Sequence, residues 1–230
     1  MEIISNDRLI KRNARIGQVT SITGLVILAG GMFISFTRPE MFSISLVALL
    51  VGFGLSQIGI YFVNRWGRRP RPDEMLNDAL KGLDGRYSLY HYSTPTSHLL
   101  VGPAGIWVLM PRQQAGTITY DDNKKRWRQK GGSIYLKIFA QENLGRPDLE
   151  IGSELHAVSR FLEDHLDKEQ IPEVSAALVM TNEKCVVEAE NAPAPTLEAK
   201  KLKDFIRKTA KSKPISLDLV KEIQDSINQA

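Results

Sequence analysis

Residues 16–37 read IGQVTSITGLVILAGGMFISFT, residues 38–40 read RPE, and residues 41–64 read MFSISLVALLVGFGLSQIGIYFVN. These two uncharged runs of 22 and 24 residues decide how the rest of the 230-residue chain is read. Each reaches the roughly 20 residues that a helix needs to cross a hydrocarbon core of about 30 Å. A secretory signal has a shorter apolar region and a small-residue cleavage site, whereas the first run is long and a second follows at once. With only Arg38, Pro39 and Glu40 between them, the two spans form a tight antiparallel hairpin. Gly31 with Ser35, and Gly52 with Ser56, are small residues four apart that let helix backbones approach. Gln18 and Gln57 are the strongly polar side chains well inside the spans, and neither span holds an ionisable residue, which argues for an anchor over a transporter or proton relay.

Charge divides along the same boundary. Residues 1–72 hold nine Lys/Arg against three Asp/Glu, leaving 21 against 23 of the totals of 30 and 26 for residues 73–230. The net +4 and the pI of 9.1 therefore describe the flanks of the spans, and a nucleic-acid footprint does not follow from them. Arg8, Lys11, Arg12 and Arg15 precede the first span, and Arg65, Arg68, Arg69 and Arg71 follow the second. The positive-inside rule then places both termini in the cytoplasm, and the expected localisation is a prokaryotic cell membrane. The organisation expected is a cytoplasmic segment (1–15), a transmembrane hairpin (16–64), a basic linker (65–72), a cytoplasmic domain (73–210) and a C-terminal helical tail (211–230).

Within the domain, Met75, Leu76, Ala79, Leu80 and Leu83 recur at helical spacing after the acidic pair Asp73 and Glu74. Strands are expected at 87–92, 98–101, 106–110 and 116–120, with Gly102-Pro103-Ala104-Gly105 a turn, and 126–129 and 134–139 closing the sheet. A helix over 149–166, strands at 175–181 and 186–189, and a basic helix over 196–210 complete an α/β pattern. Cys185 is the single cysteine, which excludes a disulfide framework and a Cys-based zinc site. His91, His156 and His165 lack ligand spacing and are assigned ordinary roles.

The run SHLLVGPAGIWVLMPRQQAGTI (97–118) resembles the nuclease-related domain (NERD) family, a branch of the restriction-endonuclease-like fold. The resemblance covers roughly residues 73–207. Its pattern is an Asp before an apolar strand, a Gly-Pro-small-Gly turn, an apolar strand ending in Glu-x-Lys, and a Gly-Ile or Gly-Val just after. It implies an α/β domain with a central mixed sheet flanked by helices, and metal-assisted phosphodiester hydrolysis in which Asp and Glu hold a divalent ion and Lys serves the nucleophile. Here Ser97 stands for the Asp, Met110 for the Glu and Arg112 for the Lys. A hydroxyl and a thioether are poor ligands for a hard cation, and Arg cannot be deprotonated to act as a base. Glu74 keeps the acidic residue of the first helix, and Glu150 replaces the Gln usual at the start of the later one. Pro111 places this stretch at an edge or at the strand's end.

The reading is of a membrane-anchored pseudo-nuclease that binds or scaffolds a protein or nucleic-acid partner, with no cofactor or metal. The alternative is a nuclease with a displaced site of Glu74, Glu150 and His98, which would need magnesium. A second alternative is an anionic-lipid surface module. Lys124, Lys125, Arg126, Trp127, Arg128 and Lys130 put cations around an aromatic, as a base-stacking or lipid-headgroup platform does, or form a solvated hairpin whose Trp127 caps the sheet. Lys200, Lys201, Lys203, Arg207, Lys208, Lys211 and Lys213 make a second basic stretch, either a solvated helix face or a membrane-surface contact.

Overall fold

A computed structural model describes residues 1–132, 144–166 and 171–229. The chain divides into two compact units, residues 7–71 and residues 1–6 with 72–230.

The first unit is the hairpin. Helix α1 (Asp7–Thr37) and helix α2 (Phe42–Phe62) are joined by a 3₁₀ turn over Pro39–Met41, and a π turn over Val63–Gly67 follows α2. Both are long and apolar enough to cross a membrane. α1 starts nine residues before the uncharged run, so Arg8, Lys11, Arg12 and Arg15 ride on its first turns instead of a separate segment. Its 31 residues span about 46 Å at 1.5 Å per residue, more than a bilayer core requires.

The pair is packed through its smallest residues. The buried positions of α1 include Ile10, Gly17, Gly24 and Gly31, and those of α2 are Ser45, Gly52 and Gly59. A seven-residue repeat is close to two helical turns, so each set forms one stripe. The glycines are needed for the distance between backbones: a Cβ on Gly24 would lie 2.6 Å from Ser56 Oγ and 2.9 Å from the Gly52 carbonyl, and one on Gly59 2.7 Å from the Ser21 nitrogen. Of the two small-residue pairs read from the sequence, Gly31, Gly52 and Ser56 lie in this contact. The large apolar side chains point the other way, with Phe33 68% and Phe36 80% exposed.

The second unit is an α/β sandwich on a six-stranded sheet. Its strands are β1 (Glu2–Ser5), β2 (Ser88–His91), β3 (His98–Gly102), β4 (Gly105–Arg112), β7 (Val174–Met180) and β9 (Thr196–Glu198), in that order across the sheet. β2, β3 and β4 form an antiparallel meander; β1 joins β2 in parallel, and β7 and β9 extend β4 in parallel. Helix α3 (Pro72–Leu80) and helix α5 (Ala199–Ser212) cover one face, where Leu76, Leu80, Leu202 and Ile206 meet Leu89, Leu100, Trp107 and Leu109. Helix α4 (Pro147–Glu163) and helix α6 (Leu217–Gln229) cover the other, where Val158, Leu162, Ile223 and Ile227 meet Leu99, Val101, Val108 and Met110. Alternation along each strand sends successive side chains to these two cores. The Gly-Pro-Ala-Gly stretch is the β3–β4 hairpin, with Gly102 opposite Gly105. Gly102 is required there, because a Cβ would fall 2.2 Å from the Tyr87 ring.

The structure corrects the sequence reading in four places. Residues 1–15, expected as one segment, divide between β1, which pairs with β2, and the first turns of α1, and the terminal amine donates to Leu83 O at 3.2 Å. The C-terminal 211–230 stretch, expected as a helical tail, is helical over Leu217–Gln229, and this helix α6 packs into the domain through Val220, Ile223 and Ile227. A separate three-stranded sheet, β6 (Arg126–Lys130), β5 (Gly116–Asp121) and β8 (Cys185–Glu188), replaces the continuous sheet expected, because β7 occupies the edge of β4 to which β5 would have added. The expected helix over 196–210 begins three residues later, since Thr196–Glu198 pair with Leu178–Met180 as β9. The strand expected over 134–139 lies outside the described residues.

Two outcomes follow for the full-length protein in mild detergent. Gly24→Val overpacks the hairpin and lowers its stability by about 1–3 kcal/mol, whereas Gly30→Ala, with nothing within 4 Å of the new methyl, leaves it unchanged; thermal denaturation separates them. Ile223→Ala, at a fully buried position of α6, costs about 2–5 kcal/mol, measured by urea denaturation through Trp107 and Trp127 fluorescence.

Candidate functional site

The C-terminal end of β4 is where the sequence places its chemistry. Past Val108 the β3 side of β4 is unpaired in the sheet register, while β7 runs alongside to Arg112, opposite Met180. Pro111 therefore sits at the strand's end, as its missing N–H requires. Met110 and Arg112 are two apart and share the α4 face. Met110 is 7% exposed among Ile118, Val158 and Leu178, so position 110 lies in apolar core. Arg112, two residues nearer solvent, pairs with Glu150 in the first turn of α4. The Arg112 carbonyl accepts from the Thr181 backbone N–H at 2.8 Å and from its hydroxyl at 3.1 Å, which pins the strand end to the loop after β7. Asn182 Nδ2 donates to Gln113 O at 2.9 Å, and Gln113 Nε2 lies 3.5 Å from Met75 Sδ.

Ser97 is half-buried in the bend that leads into β3. Met110, Arg112 and Glu150 gather at the C-terminal end of β4. Glu74 and His98 do not join them. Glu74 is in the first turn of α3, which packs on the opposite face from α4. His98 Nδ1 lies 2.8 Å from His91 Nδ1, and His91 Nε2 lies 3.0 Å from Asn77 Oδ1 of α3. Among the described residues no group of three or more His, Cys, Asp or Glu could hold a metal ion.

That buried His91–His98–Asn77 chain escaped the sequence reading, because the two histidines become neighbours only through the β2–β3 register. The amide oxygen of Asn77 accepts from His91 Nε2–H. The other nitrogen of a neutral His91 ring then accepts from His98 Nδ1–H.

The basic–aromatic stretch is not a stacking platform. Trp127 is 4% exposed, its indole N–H donates to Thr196 Oγ1 at 2.9 Å, and its ring meets Tyr120 edge-on at 5.0 Å. Strand alternation turns Arg126, Arg128 and Lys130 to the other side of β6. Arg128 pairs with Asp121 at 2.9 Å, and Lys124 and Lys125 occupy the exposed β5–β6 turn. The Lys124 backbone N–H, then the charge of Arg128, hold the Asp121 carboxyl below its ordinary range.

Much of the second basic stretch is engaged by the fold. Lys200 and Lys201 pair with Glu198 at 2.6 and 3.1 Å and depress its pKa. Lys203 and Arg207 donate to the carbonyls of Lys81 and Gly82, just past α3, where helix carbonyls lack partners. Of the membrane-flank residues, Arg12 and Arg15 are exposed on α1, the Arg65 guanidinium lies 5.1 Å above the Trp66 ring, and Arg68, Arg69 and Arg71 follow in the connecting segment.

Compared with family models, curated proteins and solved structures, the chain matches none.

Burial pushes the Cys185 thiol up to about 11, with the Glu198 charge adding to the shift. The folded protein should leave Cys185 unlabelled by a disulfide reagent at pH 8 and react fully once unfolded in guanidinium, as thiol counting will show.

Proposed function

We propose that this is an integral membrane protein whose α/β domain is nuclease-related, catalytically inactive, and held at the cytoplasmic face to bind or scaffold a partner. The observation that carries the second part is the donor set at the end of β4. The three positions that hold the ion and serve the nucleophile in the NERD resemblance carry a hydroxyl, a thioether inside apolar core, and a guanidinium bound to the nearest carboxylate. Such a set does not fit magnesium, and no hydrolytic step is derived from it. The order helix, three-stranded meander, helix and parallel strand, seen in α3, β2–β4, α4 and β7, agrees with the fold that the resemblance implies.

The membrane reading is supported by the inside-out packing of the hairpin, with glycine and serine at the contact and Phe, Leu, Val and Ile outward. Tyr61, Phe62 and Trp66 cluster where α2 ends beside Arg65, as side chains at a lipid–water interface do. Orientation has two independent supports. Arginine is concentrated at the ends away from the turn, and the segments before α1 and after α2 both belong to the α/β unit, which supports a common side for both ends.

Wild-type protein should remain in membranes through alkaline carbonate extraction and, purified in detergent, leave single- and double-stranded DNA and RNA uncut with magnesium or manganese. Cleavage that disappears in Glu150→Gln or Glu74→Gln would overturn the inactive reading. Restoring the family's glutamate as Met110→Glu should cost on the order of 3 kcal/mol, because a carboxyl enters apolar core, while Met110→Leu costs less than about 1.5 kcal/mol; urea denaturation distinguishes the two.

A further inference from the structure

Helix α1 has two working faces. One is the glycine stripe pressed against α2. On the other, Lys11, Arg12, Arg15, Ile16, Val19 and Thr20 line an open groove of about 570 Å³. Their spacing of i, i+1, i+4, i+5, i+8 and i+9 puts them on one side of the helix. The chemistry changes sharply along the groove: three cations lie at its N-terminal end and an apolar floor lies at the other. Thr20 contributes to that floor, because its hydroxyl is used within the helix, donating to the Ile16 carbonyl at 2.8 Å and the Gly17 carbonyl at 3.2 Å. Arg12 Nε contacts Asn13 Oδ1 at 3.4 Å, and among the described residues none of the three cations forms an ion pair with a carboxylate.

The geometry points to a seat for one anionic glycerophospholipid, with its headgroup phosphate on Lys11, Arg12 and Arg15 and the upper part of an acyl chain along Ile16, Val19 and Thr20. Lys11 and Val19 are eight residues apart, a rise of about 12 Å, which matches a molecule that is charged at one end and hydrocarbon at the other. Guanidinium forks bind phosphate oxygens in pairs. A zwitterionic lipid offers the same phosphate but brings a second cation against three already present, so charge complementarity selects a lipid of net negative charge. The assignment rests on the reading of the hairpin as membrane-spanning, and it adds a particular lipid class and a particular face of α1.

The test uses full-length protein in nanodiscs of equal phosphatidylglycerol and phosphatidylcholine, with lipid retained on the released protein counted by native mass spectrometry. Wild type should retain one phosphatidylglycerol in preference to phosphatidylcholine. The preference should fall about fivefold per cation removed, and so by well over tenfold in Lys11→Gln/Arg12→Gln/Arg15→Gln, while Arg65→Gln keeps it. Equal retention of both lipids, an unchanged preference in the triple variant, or an equal loss in Arg65→Gln would overturn the seat. Displacement of the lipid by glycerol 3-phosphate, which has the phosphate without the chains, would reassign the groove to free phosphate esters and overturn it as well. Carbonate extraction separates this outcome from failure of the membrane reading: a protein that stays in the membrane but shows no lipid preference loses the seat alone, whereas one that is extracted loses both.

Discussion

Glu2–Ser5, hydrogen-bonded in parallel to Ser88–His91, tie the start of the chain to a strand more than eighty residues later. The pairing makes the hairpin an insertion within the α/β domain, attached by both ends. Helix α1 starts at Asp7, directly after β1, so Arg8 to Arg15 lie on its first turns. The strand is short, but its first residue donates to Tyr87 O and the residue after it, Asn6, donates to His91 O, at 2.8 and 3.0 Å. The amine of Met1 adds a contact to Leu83 O.

The two units solve opposite packing problems. In the domain, large side chains turn inward: Leu76, Leu80, Leu202 and Ile206 on one face of the sheet, Val158, Leu162, Ile223 and Ile227 on the other. In the hairpin the interior is made of glycine and serine, and the large side chains turn outward. With glycine and serine at the contact, the pair is held by close backbone packing. Gly24, Gly52 and Gly59 allow that approach, because a methyl group at any of them would strike the partner helix.

At the end of β4 the same alternation that builds the core decides the chemistry. Position 110 faces inward among Ile118, Val158 and Leu178, where a thioether is at home and a carboxylate is not. Position 112 emerges at the rim, where a guanidinium finds Glu150 at the start of α4.

The sequence by itself determined the two long apolar helices, the small residues that let them touch, seven of the domain's strands, and the hydroxyl, thioether and guanidinium at positions 97, 110 and 112. These are local properties, carried by runs of uncharged residues, by period-two and helical spacing, and by residue identity at 97, 110 and 112. Tertiary structure decided what depends on partners distant in the chain. β1 and β9 are too short to be read alone and exist through β2 and β7. The division into two sheets follows from β7 taking the edge of β4, and Trp127 is buried because Thr196 and Tyr120 stand against it. The candidate site divides the same way: the residues at positions 97, 110, 112 and 150 could be named from the sequence. That Glu150 meets Arg112 while Glu74 sits across the sheet was settled by which face each helix covers, a choice that the hydrophobic patterns of α3 and α4 leave open.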